Sequence, residues 1–249
     1  MPLYRATIAY DGTEYEGWQV QANAATIQGT LEAALARMTK TAKSPLSVVG
    51  ASRTDAGVHA LGQVAHFELE NTIPPEGLLR GLNSNLPEDV RLLEAAFAPP
   101  GFHARKWARS KTYRYHLATQ KVPSPLRVRF VHHHPHRLDR ATMAEAARLF
   151  LGTTDFAALR ASSCEARTTV REVSVSRFLE EGSELIYEVA ATGFLHHMVR
   201  NMVGTLLEVG RGRLELKQVE RLLAQRDRRL AGPTAPARGL HLMRVEYPE

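Results

Sequence analysis

Cysteine is nearly missing from this 249-residue chain, in which Cys164 stands alone. A single thiol excludes an internal disulfide and any zinc site built from several cysteines. It fits a reducing compartment, so a cytoplasmic location is expected. Long hydrophobic runs are missing too. No apolar stretch approaches the roughly 20 residues that a helix needs to cross a bilayer, so no membrane association is expected. The start, Met1-Pro2-Leu3-Tyr4-Arg5, passes straight into strand-like sequence without an apolar signal core. With 44% hydrophobic and 23% charged residues the chain has the balance of a folded protein, which excludes disorder as the default.

Acids are scarce in one place above all. Between Gly101 and Arg140 ten Lys or Arg face a single acid, Asp139, giving that segment +9 in a chain whose net charge is +6. Concentrated positive charge attracts polyanions. Phe102, Trp107, Tyr113, Tyr115 and Phe130 lie among these cations. Cations for phosphates beside aromatic faces for bases suit looped or single-stranded RNA. A solvated basic surface without a partner is the blander alternative.

Alternation and turn signals predict a strand over residues 2–10, then a helix capped by Thr26 with Ile27, Leu31, Ala34, Leu35 and Met38 on one face. Short strands are expected over 46–50 and 63–69, a helix opened by Pro74-Pro75, and a strand over 90–97. Pro99-Pro100-Gly101 reads as a linker dividing residues 1–100 from 101–249. In the second part, strands are expected over 110–119, 170–178, 185–191 and 240–247. Helices are expected after Asp139, over 195–209 and around Leu216–Leu223. The order suggests an α+β fold of two ferredoxin-like halves with mainly antiparallel sheets.

Three segments hold more polar chemistry than folding needs. The first, Tyr10-Asp11-Gly12-Thr13 through Gly17-Trp18-Gln19-Val20-Gln21, reads on its own as a turn with Trp18 as a packing anchor. The second, Ser52-Arg53-Thr54-Asp55-Ala56-Gly57-Val58-His59-Ala60, places a cation, a carboxylate and an imidazole in one loop. Arg53 and Asp55 could simply pair with each other or cap the next element, or serve catalysis. A glycosidase of the paired-acid kind needs a second carboxylate at fixed separation, and the loop offers none. The third, Phe194-Leu195-His196-His197-Met198-Val199-Arg200-Asn201, sets Arg200 at the edge of an apolar helical stripe.

Together with Lys111-Thr112-Tyr113-Arg114-Tyr115 and Gly239-Leu240-His241-Leu242, these segments resemble the tRNA pseudouridine synthases of the TruA family over essentially the whole chain. One departure is Ser52, where family members commonly carry glycine. The resemblance implies that Asp55 is the catalytic aspartate, that Arg53 helps extrude or hold the target nucleotide, and that Arg200 pairs with Asp55. Tyr113 would stack on the extruded uracil, and Leu242 would line the pocket with Tyr115 as a neighbour. It implies a central active-site cleft between the halves, and a homodimer acting on uridines 38, 39 and 40 of the tRNA anticodon stem-loop.

The chemistry fits one carboxylate. Pseudouridine forms when uracil leaves its N1–ribose bond, turns, and rejoins through C5, and an ionised aspartate can attack C1′ or remove a nearby proton. No redox or water-activating step is involved, so neither a cofactor nor a metal is expected. His132-His133-His134 and His136 sit in a basic loop around Pro135, where phosphate contact or plain solvation is expected in preference to metal binding. Arg105, Lys106, Arg109 and Lys111 are the candidate RNA contacts. A silent tRNA-binding protein and a single-carboxylate N-glycosidase are the competing readings, and release of free uracil would mark the latter.

Overall fold

A computed structural model describes residues 1–40, 46–164 and 166–248. The chain forms two compact units, Met1–Arg109 with Leu242–Glu249, and Ser110–His241.

The first unit opens with β1 (Leu3–Tyr10), whose alternation buries Tyr4, Ala6, Ile8 and Tyr10 on one face. Helix α1 (Ile27–Thr39) begins where the Thr26 hydroxyl accepts from the Gly29 amide at 3.2 Å, and it buries Ile27, Leu31, Ala34 and Leu35. There follow β2 (Val49–Gly50), β3 (His59–Glu68), α2 (Pro75–Asn85), with proline in its first turn, and β4 (Val90–Phe97). Strand β1 lies between β3 and β4, antiparallel to both, and β2 pairs with the far side of β3. The order β4-β1-β3-β2 is that of a ferredoxin-like unit.

The second unit contains β5 (Ser110–Ala118), β6 (His132–His133), α3 (Arg140–Arg148), β7 (Gly152–Asp155), β8 (Val170–Glu181), β9 (Glu184–Ala191), α4 (Met198–Gly210) and α5 (Leu216–Gln225). Asp139 caps α3 by accepting from the Thr142 amide at 3.1 Å. The antiparallel order is β5-β9-β8-β7, with β6 added in parallel to β5. The chain returns to the first unit within β10 (Leu240–Glu246). The fold is therefore mixed α and β with a mostly antiparallel sheet. No helix among the described residues is long and apolar enough to cross a membrane.

Several boundaries depart from those read in the sequence. Only Val49–Gly50 of the 46–50 run pairs as strand. Strand β3 starts four residues before Gln63, because Ala60 pairs with Tyr10 and His59 is buried. Gln63, Val64 and Ala65 are buried in succession, so β3 is covered on both faces and simple alternation does not describe it. Helix α4 begins at Met198 rather than at Leu195, since His197 takes a left-handed φ of 61° that an α-helix excludes. The Pro99–Gly101 turn lies inside the first unit: beyond it, Phe102 and Ala104 pack against Ala51 and Val64, and the Ala104 carbonyl accepts from Tyr247 Oη at 2.7 Å.

Candidate active site

The loop carrying Asp55 is clamped by the Tyr10–Gln21 segment. Trp18 N donates to Thr54 O at 3.0 Å, Gly57 N donates to Tyr15 O at 3.2 Å, and the Tyr10 and Thr54 hydroxyls meet at 2.8 Å in the interior. A Cβ on Gly17 would stand 2.5 Å from Thr54 O, and one on Gly50 would strike the Trp18 ring at 2.5 Å. The first segment is thus the cradle of the second, and Trp18, 1% exposed, is an anchor as its residue type suggests. Within the loop, Val58 N closes a turn on Asp55 O at 3.2 Å, and Gly57 adopts a φ of 73° that glycine permits. Asp55 is left half-buried, and Arg53 projects into solvent.

Three bracing side chains escaped the sequence reading. Gln63, wholly buried, uses its amide as a two-point bracket: Oε1 accepts from Ser52 N at 3.1 Å and Nε2 donates to Ser52 O at 2.7 Å. Ser52 is absent from the positive-φ positions, so its backbone conformation does not call for a glycine. His59 Nδ1 accepts from Gly12 N at 3.1 Å and lies 3.1 Å from an Asp11 oxygen, tying the two segments together. The third is Tyr10, whose hydroxyl reaches Thr54 from the neighbouring strand. The available signal was a glutamine in a strand and a histidine beside the motif, but only the pairing of β3 with β2 and β1 brings them to their partners.

Next to this loop stands a basic knuckle. His103 Nδ1 accepts from the amides of Arg105 and Lys106 at 3.2 and 3.4 Å. Burial and the nearby Lys106 charge lower the His103 pKa, keeping that nitrogen an acceptor. Ala104 N donates to His66 Nδ1 at 3.1 Å, and Arg109 N donates to Glu246 O at 2.8 Å. Trp107, 39% exposed, packs edge-on to Phe102 at 5.5 Å. Burial and then the Arg53 charge lower the Arg105 pKa, which brings the two guanidinium groups into one electrostatic neighbourhood. Among the described residues, Arg53, Arg105, Lys106 and Arg109 make no ion pair.

Other cations of the +9 segment are already engaged. Arg114 reaches Glu188 at 2.9 Å and Glu181 at 3.1 Å, Arg127 reaches Glu184 at 2.8 Å, and Arg140 reaches Glu180 at 2.6 Å. Glu188 lies opposite Arg114 on β5 and Arg177 on β8, so strand register sets the pairing. Lys111 is half-buried on β5.

In the second unit Tyr113 is 5% exposed and meets Phe194 edge-on at 5.1 Å. Arg200, half-buried in the first turn of α4, donates from Nε to Ala235 O at 2.8 Å. Tyr115 is buried and donates to Pro236 O at 2.8 Å; burial raises its pKa against the opposing charges of Arg200 and Arg238. Leu242, on β10, is fully buried.

The proline- and histidine-rich loop, expected to contact phosphate or to be plainly solvated, is covered in part: Pro135 and His136 are exposed and His134 is not. His134 is 3% exposed, and the His132, His134 and His136 rings follow one another edge-to-face at 5.8 and 5.4 Å. Burial, followed by the charge of His134 at His132 and of Arg211 at His134, lowers both pKa values to about 4. His132 and His134 are therefore neutral in the folded chain above about pH 4. Their stabilising contribution is complete above the unfolded pKa near 6.5 and is lost as pH falls from there towards 4. Thermal denaturation at constant ionic strength should show Tm falling across that window, and His132→Phe should flatten the fall. An unchanged slope in that variant would remove His132 from the account.

Against known proteins, the family model described as tRNA pseudouridine synthase matches residues 6–105 and 146–248. The tRNA pseudouridine synthase A of Syntrophotalea carbinolica is 48% identical over 248 residues, covering 99% of this chain and 97% of that protein.

The chain belongs to the tRNA pseudouridine synthase family.

Two further relatives called tRNA pseudouridine synthase A are similarly complete. That of Moorella thermoacetica is 46% identical, covering 99% of this chain and all of its own length. That of Acetivibrio thermocellus is 43% identical, covering 96% and 97%. As a tRNA pseudouridine synthase, the chain is an isomerase of uridine in tRNA. The family match passes over residues 106–145, which hold much of the basic segment and the histidine-rich loop.

Proposed function

We propose that this chain converts uridine to pseudouridine at positions 38, 39 and 40 of the tRNA anticodon stem-loop, with Asp55 as the catalytic carboxylate. The observation that carries the proposal is the Asp55 loop, braced on one side by the Tyr10–Gln21 segment and on the other by Gln63. Such bracing fixes the main chain that carries one half-buried carboxylate, as a group that must meet the sugar of an incoming nucleotide requires. The glycosidic N1–C1′ bond breaks, the uracil turns, a C5–C1′ bond forms, C5 gives up its proton and N1 takes one up. No atom is gained or lost, and no metal or organic cofactor is called for.

The other assignments follow the same proposal. Arg53 holds the extruded nucleotide, Arg200 supports the Asp55 carboxylate, and Tyr113 takes the uracil face, with Leu242 shaping the pocket. Unstacking a base costs a few kcal/mol, which an aromatic contact partly offsets. Because Tyr113 is 5% exposed, stacking a base on its face requires its surroundings to give way. The enzyme works as a cytoplasmic homodimer. Incubation with unmodified tRNA, followed by mapping of pseudouridine, tests the central claim. Release of free uracil, or modification confined to other positions, would overturn it.

The phosphate contacts are assigned to Arg105, Lys106 and Arg109, with Lys111 beside them. Cations that displace condensed counterions make log Kd depend linearly on log salt, with each phosphate contact adding about 0.7–0.9 to the slope. Replacing Arg105, Lys106 and Arg109 together by Gln should lower the slope by roughly 2–3. A slope equal to that of the unaltered protein would place the RNA on another face.

A further inference from the structure

Arg200 closes a ring with a single residue across the fold of the second unit. Its carbonyl accepts from Ala235 N at 3.1 Å, and its Nε donates to Ala235 O at 2.8 Å. A guanidinium is planar, so the direction of the Nε bond also sets the plane in which its two outer nitrogens point. Where those nitrogens point therefore depends on where Ala235 is held.

Ala235 lies in irregular chain that is fastened to α4 through Asn201. The Asn201 side chain, 1% exposed, donates to Leu159 O at 2.8 Å, and its Oδ1 accepts from Thr234 Oγ1 at 2.7 Å and from Arg228 Nη2 at 3.2 Å. Arg228 Nη1 donates to Gly232 O at 2.9 Å. Gly232 N donates to Thr205 Oγ1 at 3.1 Å, which in turn donates to Asn201 O at 2.8 Å. Gly204 and Gly232 let the two backbones touch, since a Cβ on Gly204 would overlap Pro233 O and one on Gly232 would overlap Gly204 O.

Arg228 shows that this fastening is more than packing. Its half-buried guanidinium has no acidic partner among the described residues, and its hydrogen-bond acceptors there are the neutral oxygens of Gly232, Asn201 and Thr234. A cation desolvated without a carboxylate is an expensive way to tie down a loop. Holding one carbonyl steady for a second arginine gives the arrangement a purpose.

We infer that Asn201, Arg228 and Thr234 are positioning residues for the isomerisation, clamping the segment whose Ala235 carbonyl orients Arg200. The inference rests on the role of Arg200 proposed above. Its test is single-turnover pseudouridine formation and tRNA Kd for Arg200→Met, Thr234→Val, Arg228→Met, Arg228→Lys and the double variant Arg228→Met/Arg200→Met. Thr234→Val and Arg228→Met should each slow the chemical step roughly 10-fold or more, with Kd changed less than about threefold. Arg228→Lys should recover part of the rate. The double variant should be no slower than Arg200→Met, because the clamp acts through that side chain alone. Thr234→Val preserves side-chain shape and keeps the test readable if thermal denaturation shows Arg228→Met unfolded. The clamp is overturned if Arg200→Met is slow while the clamp variants run at the unaltered rate, or if the defects multiply in the double variant. A fully active Arg200→Met is a different failure, which removes the role of Arg200 first and the clamp with it.

Discussion

Asp55→Asn should abolish pseudouridine formation while leaving tRNA affinity within about tenfold, or roughly 1.4 kcal/mol. The amide preserves the shape of the side chain, and the main-chain contacts that hold the loop come from Thr54, Gly57 and Ser52 and remain. What is lost is the negative oxygen. An amide oxygen neither attacks C1′ at a useful rate nor takes up a proton near neutral pH, so both routes open to a carboxylate close together. Single-turnover assays with excess enzyme separate this loss from weakened binding. Product formed at more than about a thousandth of the unaltered rate would sink the assignment of Asp55, provided that contaminating host enzyme is excluded.

Gly17→Ala should damage catalysis far more than it damages the fold. Gly17 has a φ of 86°, which costs an L-residue about 1–2 kcal/mol, and its new methyl would stand 2.5 Å from Thr54 O and 3.1 Å from the Asp55 carbonyl carbon. The methyl meets backbone atoms, so no side chain can swing aside. The Thr54–Asp55 peptide has to move, and a displacement approaching 1 Å at a reacting group lowers rates by about 100-fold. Gly101→Ala is the matched control. Its φ is 75°, yet nothing lies within 4 Å of the added methyl, so it carries the conformational cost without the collision. Gly17→Ala should lose turnover and Gly101→Ala should keep it, with the larger loss of Tm in Gly17→Ala. Equal activity in the two variants would show that the cradle does not govern the Asp55 loop.

Local chemistry made much of the chain legible from sequence. Thr26 and Asp139 cap helices because a short side-chain oxygen reaches an amide three residues on, whatever surrounds it. The bounds of β4 at Val90 and Phe97 follow from apolar residues set between turn signals. The Asp55 run stood out because a cation, a carboxylate and a glycine in so short a loop exceed what folding demands, and its likeness to a family supplied the reaction.

Tertiary structure alone decided the rest, for a common reason: each feature depends on a partner distant in sequence. The +9 segment was a correct sum, but Glu188 lies 74 residues from Arg114 and becomes its partner only through the register of β5 on β9. His134 read as a phosphate-contacting or solvated histidine because nothing local announces that it will be covered, its pKa drawn down to about 4. Gln63 became a brace for Ser52 when β3 was buried on both faces, a state that alternation cannot encode. Sequence singled out the side chains proposed to carry the chemistry, since reactivity belongs to the residue. The fold decided which cations stay available and what holds Asp55 and Arg200 in place, because charge pairing and hydrogen bonds are settled by neighbours in space.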